Sequence, residues 1–155
     1  MSEALALFAP GSLEAPEIYF TVPGTPAPQG SKRPIGFRGG RHLMIESNPA
    51  TRPWRALVSD CAAVYRNERL QEGLTLPLDG PLGARFVFRF ARPASIKPAR
   101  RPHPHTKPDL SKLVRAVEDS LTGIIIRDDA RIVCLSAVKQ YGDPGVTIEI
   151  WRLLS

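Results

Sequence analysis

The chain has 155 residues, of which 43% are apolar and 23% charged, and this size and composition predict one domain with a buried core. No apolar run approaches the roughly 20 residues that cross a bilayer, and Glu3 stands where a signal peptide carries basic residues, so we expect a cytoplasmic protein without a membrane partner. Cys61 and Cys134 are too few for a disulfide framework or a cysteine metal site, and we interpret both as core thiols.

The charge of the chain favours a polyanionic partner. Lys and Arg total 21 against 15 Asp and Glu, which gives a formal net charge of +6 and a pI near 9.8. Such a surface attracts nucleic acid first and anionic membrane second. The stretch 80–108 has no acidic residue and is either a solvated face or a phosphate-contacting loop, of which the lack of acids favours the second. Its cations are Arg85, Arg89, Arg92, Lys97, Arg100, Arg101 and Lys107.

The N-terminal half predicts a strand, an irregular segment and a helix. We expect residues 1–16 to be a loose leader, and alternating apolar side chains predict a strand at 17–22. Residues 23–42 are rich in Pro, Gly and cations and predict a long loop or irregular hairpin, with a short strand at 42–45. Apolar residues then recur at helical spacing after an Asn-Pro start, which predicts a first helix over 49–69.

The C-terminal half predicts three more strands and a second helix. Phe and Arg alternate at 84–90, which is typical of a strand with one apolar face. Five prolines at 91–108 exclude regular structure and predict a long, mobile, basic loop. A helix over about 110–121 ends at Gly123. Further predictions are a connector at 70–83, an extended segment at 124–126, a polar break at 127–129, strands at 131–139 and 146–151, and a turn at 142–145. Together these elements predict a small mixed α/β (α+β) domain over 17–155, with a mixed sheet and two main helices.

Three carboxylates, Asp109, Asp128 and Asp129, flank the second helix and the segment that follows it. A helix over 110–121 is about 16–18 Å long, and an extended segment after Gly123 gains about 3.3 Å per residue. If that segment returns along the helix, the later carboxylates come close to Asp109. One interpretation is a helix-start residue and an ordinary polar turn. The other is a divalent metal site, since Mg²⁺ relieves repulsion among clustered carboxylates and assists phosphodiester hydrolysis.

The segment 107–133 resembles the signature of the RusA family of Holliday-junction resolvases. That family shows Lys/Arg-Pro-Asp-Leu-Asp-Asn-Leu, a basic residue two positions on, a helix, and an Asp-Asp pair that opens a strand. This chain reads KPDLSKLVRAVEDSLTGIIIRDDARIV. The N-terminal half is similar more loosely, through a strand that ends in Pro-Gly, a loop with GSKRP and a helix with Trp-Arg. The likeness spans residues 17–151 and implies a RusA-like fold.

The resemblance implies a small homodimeric endonuclease that cleaves four-way DNA junctions by paired symmetric nicks with Mg²⁺ or Mn²⁺. Many members of the family are encoded by phages and prophages. The metal-binding acids of the family fall on Asp109 and Asp129, with Asp128 beside them. The catalytic lysine of the family falls on Arg115, and a second essential aspartate falls on Ser111.

Two departures from the family pattern concern metal ligation and proton transfer. Ser111 is a poor Mg²⁺ ligand, although its hydroxyl can hold a metal-bound water. Glu118 lies on the same helical face about 10.5 Å further along, so Asp128 is the nearer substitute if the chain returns along the helix. Arg115 keeps a positive charge for phosphate but stays protonated, and Lys112 can share the role of the family's lysine.

We therefore expect a metal-dependent endonuclease that acts on branched DNA in recombination and repair. Asp109 and Asp129 carry catalysis and, with Asp128, hold Mg²⁺, while Arg115 and Lys112 steady the scissile phosphate. The expected contacts to the DNA arms are Lys32, Arg33, Arg92, Lys97, Arg100, Arg101 and Lys107. Two other classes stay open. One is a junction-binding protein that has lost its active site, and the other is a single-strand or RNA binder, which the few aromatic residues disfavour.

Overall fold

The computed structural model describes residues 15–30 and 32–153 and shows a small mixed α/β domain, as predicted. Residues 1–14 of the predicted leader lie outside the described residues. The strands are β1 (Ile18–Pro23), β2 (Lys32–Arg38), β3 (Arg41–Glu46), β4 (Leu82–Phe90), β5 (Ile132–Tyr141) and β6 (Gly145–Arg152). The helices are α1 (Thr51–Gln71) and α2 (Leu110–Leu121), and a 3₁₀ turn covers Asp129–Arg131.

Four strands form one mixed sheet in the order β1-β6-β4-β5. Strands β4 and β5 are parallel, and the other neighbouring pairs are antiparallel. Alternate side chains of a strand point to the same face of the sheet. Phe86 and Phe88 of β4 are accordingly both fully buried, beside Ile148 and Ile150 of β6. One face of the sheet therefore supplies half of the hydrophobic core.

The two helices supply the other half of the core and pack against each other. Trp54 and Val58 of α1 are buried, one turn apart, against the same cluster. The second helix, predicted over about 110–121, is confirmed as α2, and Leu113, Val117 and Leu121 form a fully buried stripe along it. In the described part of the chain, no helix is both long and apolar enough to cross a membrane.

Residues 23–42 contain more regular structure than a loop. Strands β2 and β3 pair antiparallel as a separate hairpin, so the hairpin alternative is confirmed, and β3 begins at Arg41. Gly39 and Gly40 form its turn with φ values of 58° and 77°. This left-handed region is accessible to glycine at little cost, so the Gly-Gly pair allows the chain to reverse between the two strands.

Residues 124–126 do not form the extended segment that their sequence predicts. Gly123 adopts φ 81°, and its amide donates to the carbonyl oxygen of Ile126 at 2.7 Å. The amide of Ile125 donates back to Leu121 at 3.0 Å. The chain therefore turns directly after α2, because Gly123 permits a left-handed conformation and the three isoleucines pack into the end of the core.

Candidate active site

The first turn of α2 borders an open groove of about 510 Å³. The end of β4 and the segments that precede α1 form its other walls, with Phe90 and Asn48 among the lining residues. Its charged lining residues are Lys107, Asp109 and Lys112. Two ammonium groups beside one carboxylate make a groove that attracts an anion such as a DNA phosphate.

Asp109 is at the N-cap position of α2, but its carboxylate does not cap the helix. Its backbone is extended, with φ −68° and ψ 133°, and its carbonyl oxygen accepts from the amides of Lys112 at 3.2 Å and Leu113 at 3.1 Å. The carboxylate accepts no capping hydrogen bond, unlike that of a usual N-cap aspartate. Asp109 Oδ2 instead lies 3.7 Å from Lys112 Nζ, with both side chains about half exposed. The carboxylate is therefore accessible to a ligand in the groove.

Backbone and side-chain hydrogen bonds fix the opposite wall of the groove. The amide of Gln29 donates to the carbonyl oxygen of Lys112 at 2.9 Å. The hydroxyl of Thr51, which is fully buried, donates to the carbonyl oxygen of Pro28 at 2.7 Å. The segment 25–29 is thus attached to the first turns of both helices. These hydrogen bonds hold this wall of the groove in place.

The basic loop at 91–108 lacks helix and strand, as predicted, but it has specific contacts. The guanidinium of Arg92 lies 4.0 Å from the centre of the Tyr141 ring and donates to the carbonyl oxygen of Arg101. Lys139 Nζ donates to the carbonyl oxygens of Thr106 at 2.7 Å and Pro108 at 2.8 Å. These contacts close the loop against the end of the sheet, and they engage Arg92 within the protein.

A second group of acids lies at the other end of α2. Asp128 Oδ1 accepts from the amide two residues further on at 2.8 Å and so begins the 3₁₀ turn. Burial raises the pKa of Glu118, and the negative charges of Asp129 and Asp119 raise it further. Arg115 is exposed, and its positive charge lowers the pKa of Glu118. Arg115 therefore interacts electrostatically with this second group of acids.

Asp79 holds the turn that carries the Asp-Asp pair. Its Oδ2 lies 3.0 Å from Arg127 Nη1, and its Oδ1 lies 2.9 Å from Arg131 Nε. The amide of Gly80, which donates to Asp79, and then these two guanidinium groups lower the pKa of Asp79. Sequence reasoning missed this role, because Asp79 is 48 residues from Arg127 and no local pattern pairs them.

The two acidic groups lie at opposite ends of α2, so the predicted convergence of Asp109 with Asp128 and Asp129 within one chain is wrong. Asp109 precedes a helix of 12 residues, which is about 18 Å long, while Asp129 lies near Glu118 in its last turn. The turn at 121–126 causes this, because it keeps the Asp-Asp pair at the C-terminal end of α2, and the chain returns toward Asp109 only along β5. Among the residues that the structure describes, no three Asp, Glu, His or Cys side chains are arranged to hold a metal ion.

The remaining predicted residues are accessible on two surfaces. Ser111 is exposed in the first turn of α2, and Lys32 and Arg33 are exposed on β2. Sequence reasoning did not single out Arg52 and Arg55 of α1, and only the fold shows that they line a cleft together with Lys32. The predicted loop cations that are exposed or half-buried are Lys97, Arg100, Arg101 and Lys107.

A family model described as endodeoxyribonuclease RusA matches residues 23–151, which is most of the chain. The chain belongs to the RusA family. The resemblance seen in 107–133 is therefore confirmed, and the activity of the family is endonucleolytic cleavage of branched DNA. The chain is also similar to a Bacillus subtilis (strain 168) protein described as uncharacterized protein YqaN, with 28% identity over 143 residues that cover 86% of this chain and 94% of the relative.

Proposed function

We propose that this RusA-family protein is an Mg²⁺-dependent endonuclease that resolves four-way DNA junctions by paired symmetric nicks in recombination and repair. The groove at the start of α2 carries the proposal, because an accessible carboxylate, Asp109, lies there between Lys107 and Lys112. The ammonium groups bind a backbone phosphate and bring its ester bond to the carboxylate. Mn²⁺ can replace Mg²⁺, since both prefer oxygen ligands.

The predicted metal-binding acids have the right chemistry for a divalent cation, but within one chain they lie apart. Asp109, Asp128 and Asp129 offer the hard oxygen ligands that Mg²⁺ prefers. Such an ion, when bound, supplies activated water and stabilises the leaving oxygen. Because the described residues of one chain include no group of three acids that could hold a metal ion, we propose that a second chain completes the set of ligands.

The free edge of β5 supports a homodimer that supplies this second chain. Strand β5 ends the sheet and exposes apolar side chains such as Val133, and such an edge favours pairing with another strand. Asp129 lies just before β5, while Lys139, near its far end, donates to the carbonyl oxygen that precedes Asp109 at 2.8 Å. Antiparallel pairing of two β5 edges brings Asp129 of one chain toward Asp109 of the other.

A junction-binding protein without catalysis is the second candidate, and Ser111 is the observation that favours it. A serine replaces a carboxylate of the family pattern in the first turn of α2, where its side chain is exposed. Removal of one carboxylate weakens the binding of a hard cation. The cations around the groove retain DNA affinity in either case.

Substitution of Asp109→Asn tests the proposed site. We expect this variant to lose cleavage of a four-way junction by about 100-fold or more, since a change in the outer ligand shell of a metal already costs 10–100-fold. Binding of the junction should stay the same or become tighter, because a negative charge is removed from a DNA-contacting groove. Cleavage is measured with a labelled junction, and binding is measured in EDTA.

The matched control is Asp60→Asn, which makes the same chemical change at an exposed position on α1 away from the groove. The control should cleave like the wild type. Unchanged cleavage by Asp109→Asn would remove Asp109 from the active site. Binding without cleavage by the wild type, under any divalent metal, would favour the second candidate.

A further inference from the structure

The hairpin of β2 and β3 projects a basic surface from the domain. Among the strands that the structure describes, β2 and β3 pair only with each other, and every described side chain of β2 is exposed. The sequence of residues 32–46 has a single acid, Glu46. Its cations, apart from His42, are Lys32, Arg33, Arg38 and Arg41.

A cleft of about 420 Å³ lies where this hairpin meets α1. Lys32 from the hairpin and Arg52 and Arg55 from the first turns of α1 line it, together with the polar residues Thr51 and Ser59. Within residues 15–30 and 32–153, no described carboxylate forms an ion pair with Arg52 or Arg55. Three like charges that line one cleft favour an anionic ligand.

This cleft is adjacent to the groove that contains Asp109. Thr51 lines the cleft, and Ala50 and Asn48 line the groove, so one short segment separates the two. The cleft and the groove therefore form one cationic path across the start of α1. A phosphate backbone has one charge every few ångströms and can occupy both parts at once.

We propose that Lys32, Arg52 and Arg55 bind consecutive phosphates of one DNA arm and direct that strand into the groove. This assignment rests on the proposed function, and it adds a second contact surface to the basic loop at 91–108. The ligand is the DNA backbone rather than a second copy of the chain, because two hairpins of the same positive charge repel each other.

The test is the salt dependence of junction binding by the double variant Arg52→Gln/Arg55→Gln. Affinity for a labelled four-way junction is measured in EDTA over a series of KCl concentrations. Each lost phosphate contact lowers the slope of log affinity against log salt by about 0.9, so the double variant should lose about 2 from its slope. Arg52→Lys/Arg55→Lys should keep the wild-type slope, because the charges remain.

The matched control is Arg69→Gln/Arg152→Gln, which removes the same charge at positions that pair with Glu72 and Glu17. Its slope should stay close to that of the wild type. An unchanged slope in Arg52→Gln/Arg55→Gln, with normal binding by the wild type, would overturn this assignment and leave the proposed function intact. A wild type that does not bind the junction would overturn both. A change of oligomeric state by sedimentation, without a change of slope, would show that the cleft contacts a second copy.

Discussion

At the scale of single residues, the first turn of α2 is where the proposed metal affinity of the groove can be tested. Ser111 is exposed two residues after Asp109, at the position of an essential aspartate in the family pattern. Ser111→Asp should therefore raise divalent-metal affinity and junction cleavage. Isothermal titration with Mn²⁺ and a cleavage assay measure the two effects.

Ser111→Ala is the control for this change, since it removes the hydroxyl and adds no charge. If Ser111→Asp changes neither metal affinity nor cleavage, position 111 is not part of the site. An added acid near a helix N-terminus also stabilises the helix by about 0.3–1 kcal/mol, so the melting temperature of each variant is recorded in EDTA.

Asp79 provides a pH-dependent prediction about stability. Its pKa is lowered in the folded state by the Gly80 amide and by Arg131 and Arg127, so its contribution is present above the ordinary pKa of an aspartate and is lost as the pH falls through the lowered value. Asp79→Asn should lower the melting temperature at neutral pH, and the difference from wild type should shrink in acid. Thermal unfolding of both proteins over a pH series in EDTA measures this, and a difference that does not depend on pH would contradict it.

At the scale of elements, the β2–β3 hairpin contributes no residue to the hydrophobic core cluster of the described residues. It has two strands and large exposed apolar side chains, among them Phe37, which is 67% exposed. Two-stranded hairpins without a packed face have marginal stability in water.

Hydrogen exchange checks this expectation. Backbone amides of the hairpin should exchange at least about 100-fold faster than those of β4, which lies between two strands. Addition of a four-way junction should slow exchange in the hairpin, since the proposed phosphate contacts include Lys32. Equal exchange rates in the free protein would contradict this description.

Local sequence patterns predicted the elements well where one physical rule dominates. Alternation at 84–90 identifies β4, and the apolar stripe of α2 identifies the face that packs on the sheet. The turn at 121–126 was not predicted, because three consecutive isoleucines are typical of a strand. The hydrogen bond between Gly123 and Ile126 and the packing of the isoleucines on the core, which produce the turn, are not visible in the local sequence. Asp109 and Lys112, which the sequence predicts as site residues, both line the groove. The position of Asp129 relative to them depends on that turn.

At the scale of the whole molecule, charge and topology place the proposed functions on connected surfaces. The groove, the basic loop and the hairpin cleft carry most of the predicted DNA contacts. The length of β5 separates Asp129 from Asp109 within one chain, and its edge is the surface on which the proposed homodimer depends. Such a dimer would make paired nicks on a symmetric junction, because each of its two sites would face one strand.

The measurement that tests this account most directly uses the wild-type protein with a labelled, immobile four-way junction and a linear duplex of matched sequence. Each DNA is incubated with Mg²⁺, Mn²⁺ or EDTA. The account predicts paired nicks that are confined to the junction and abolished by EDTA. Tight junction binding without nicks under either metal, or nicks that occur equally in the linear duplex, would contradict it.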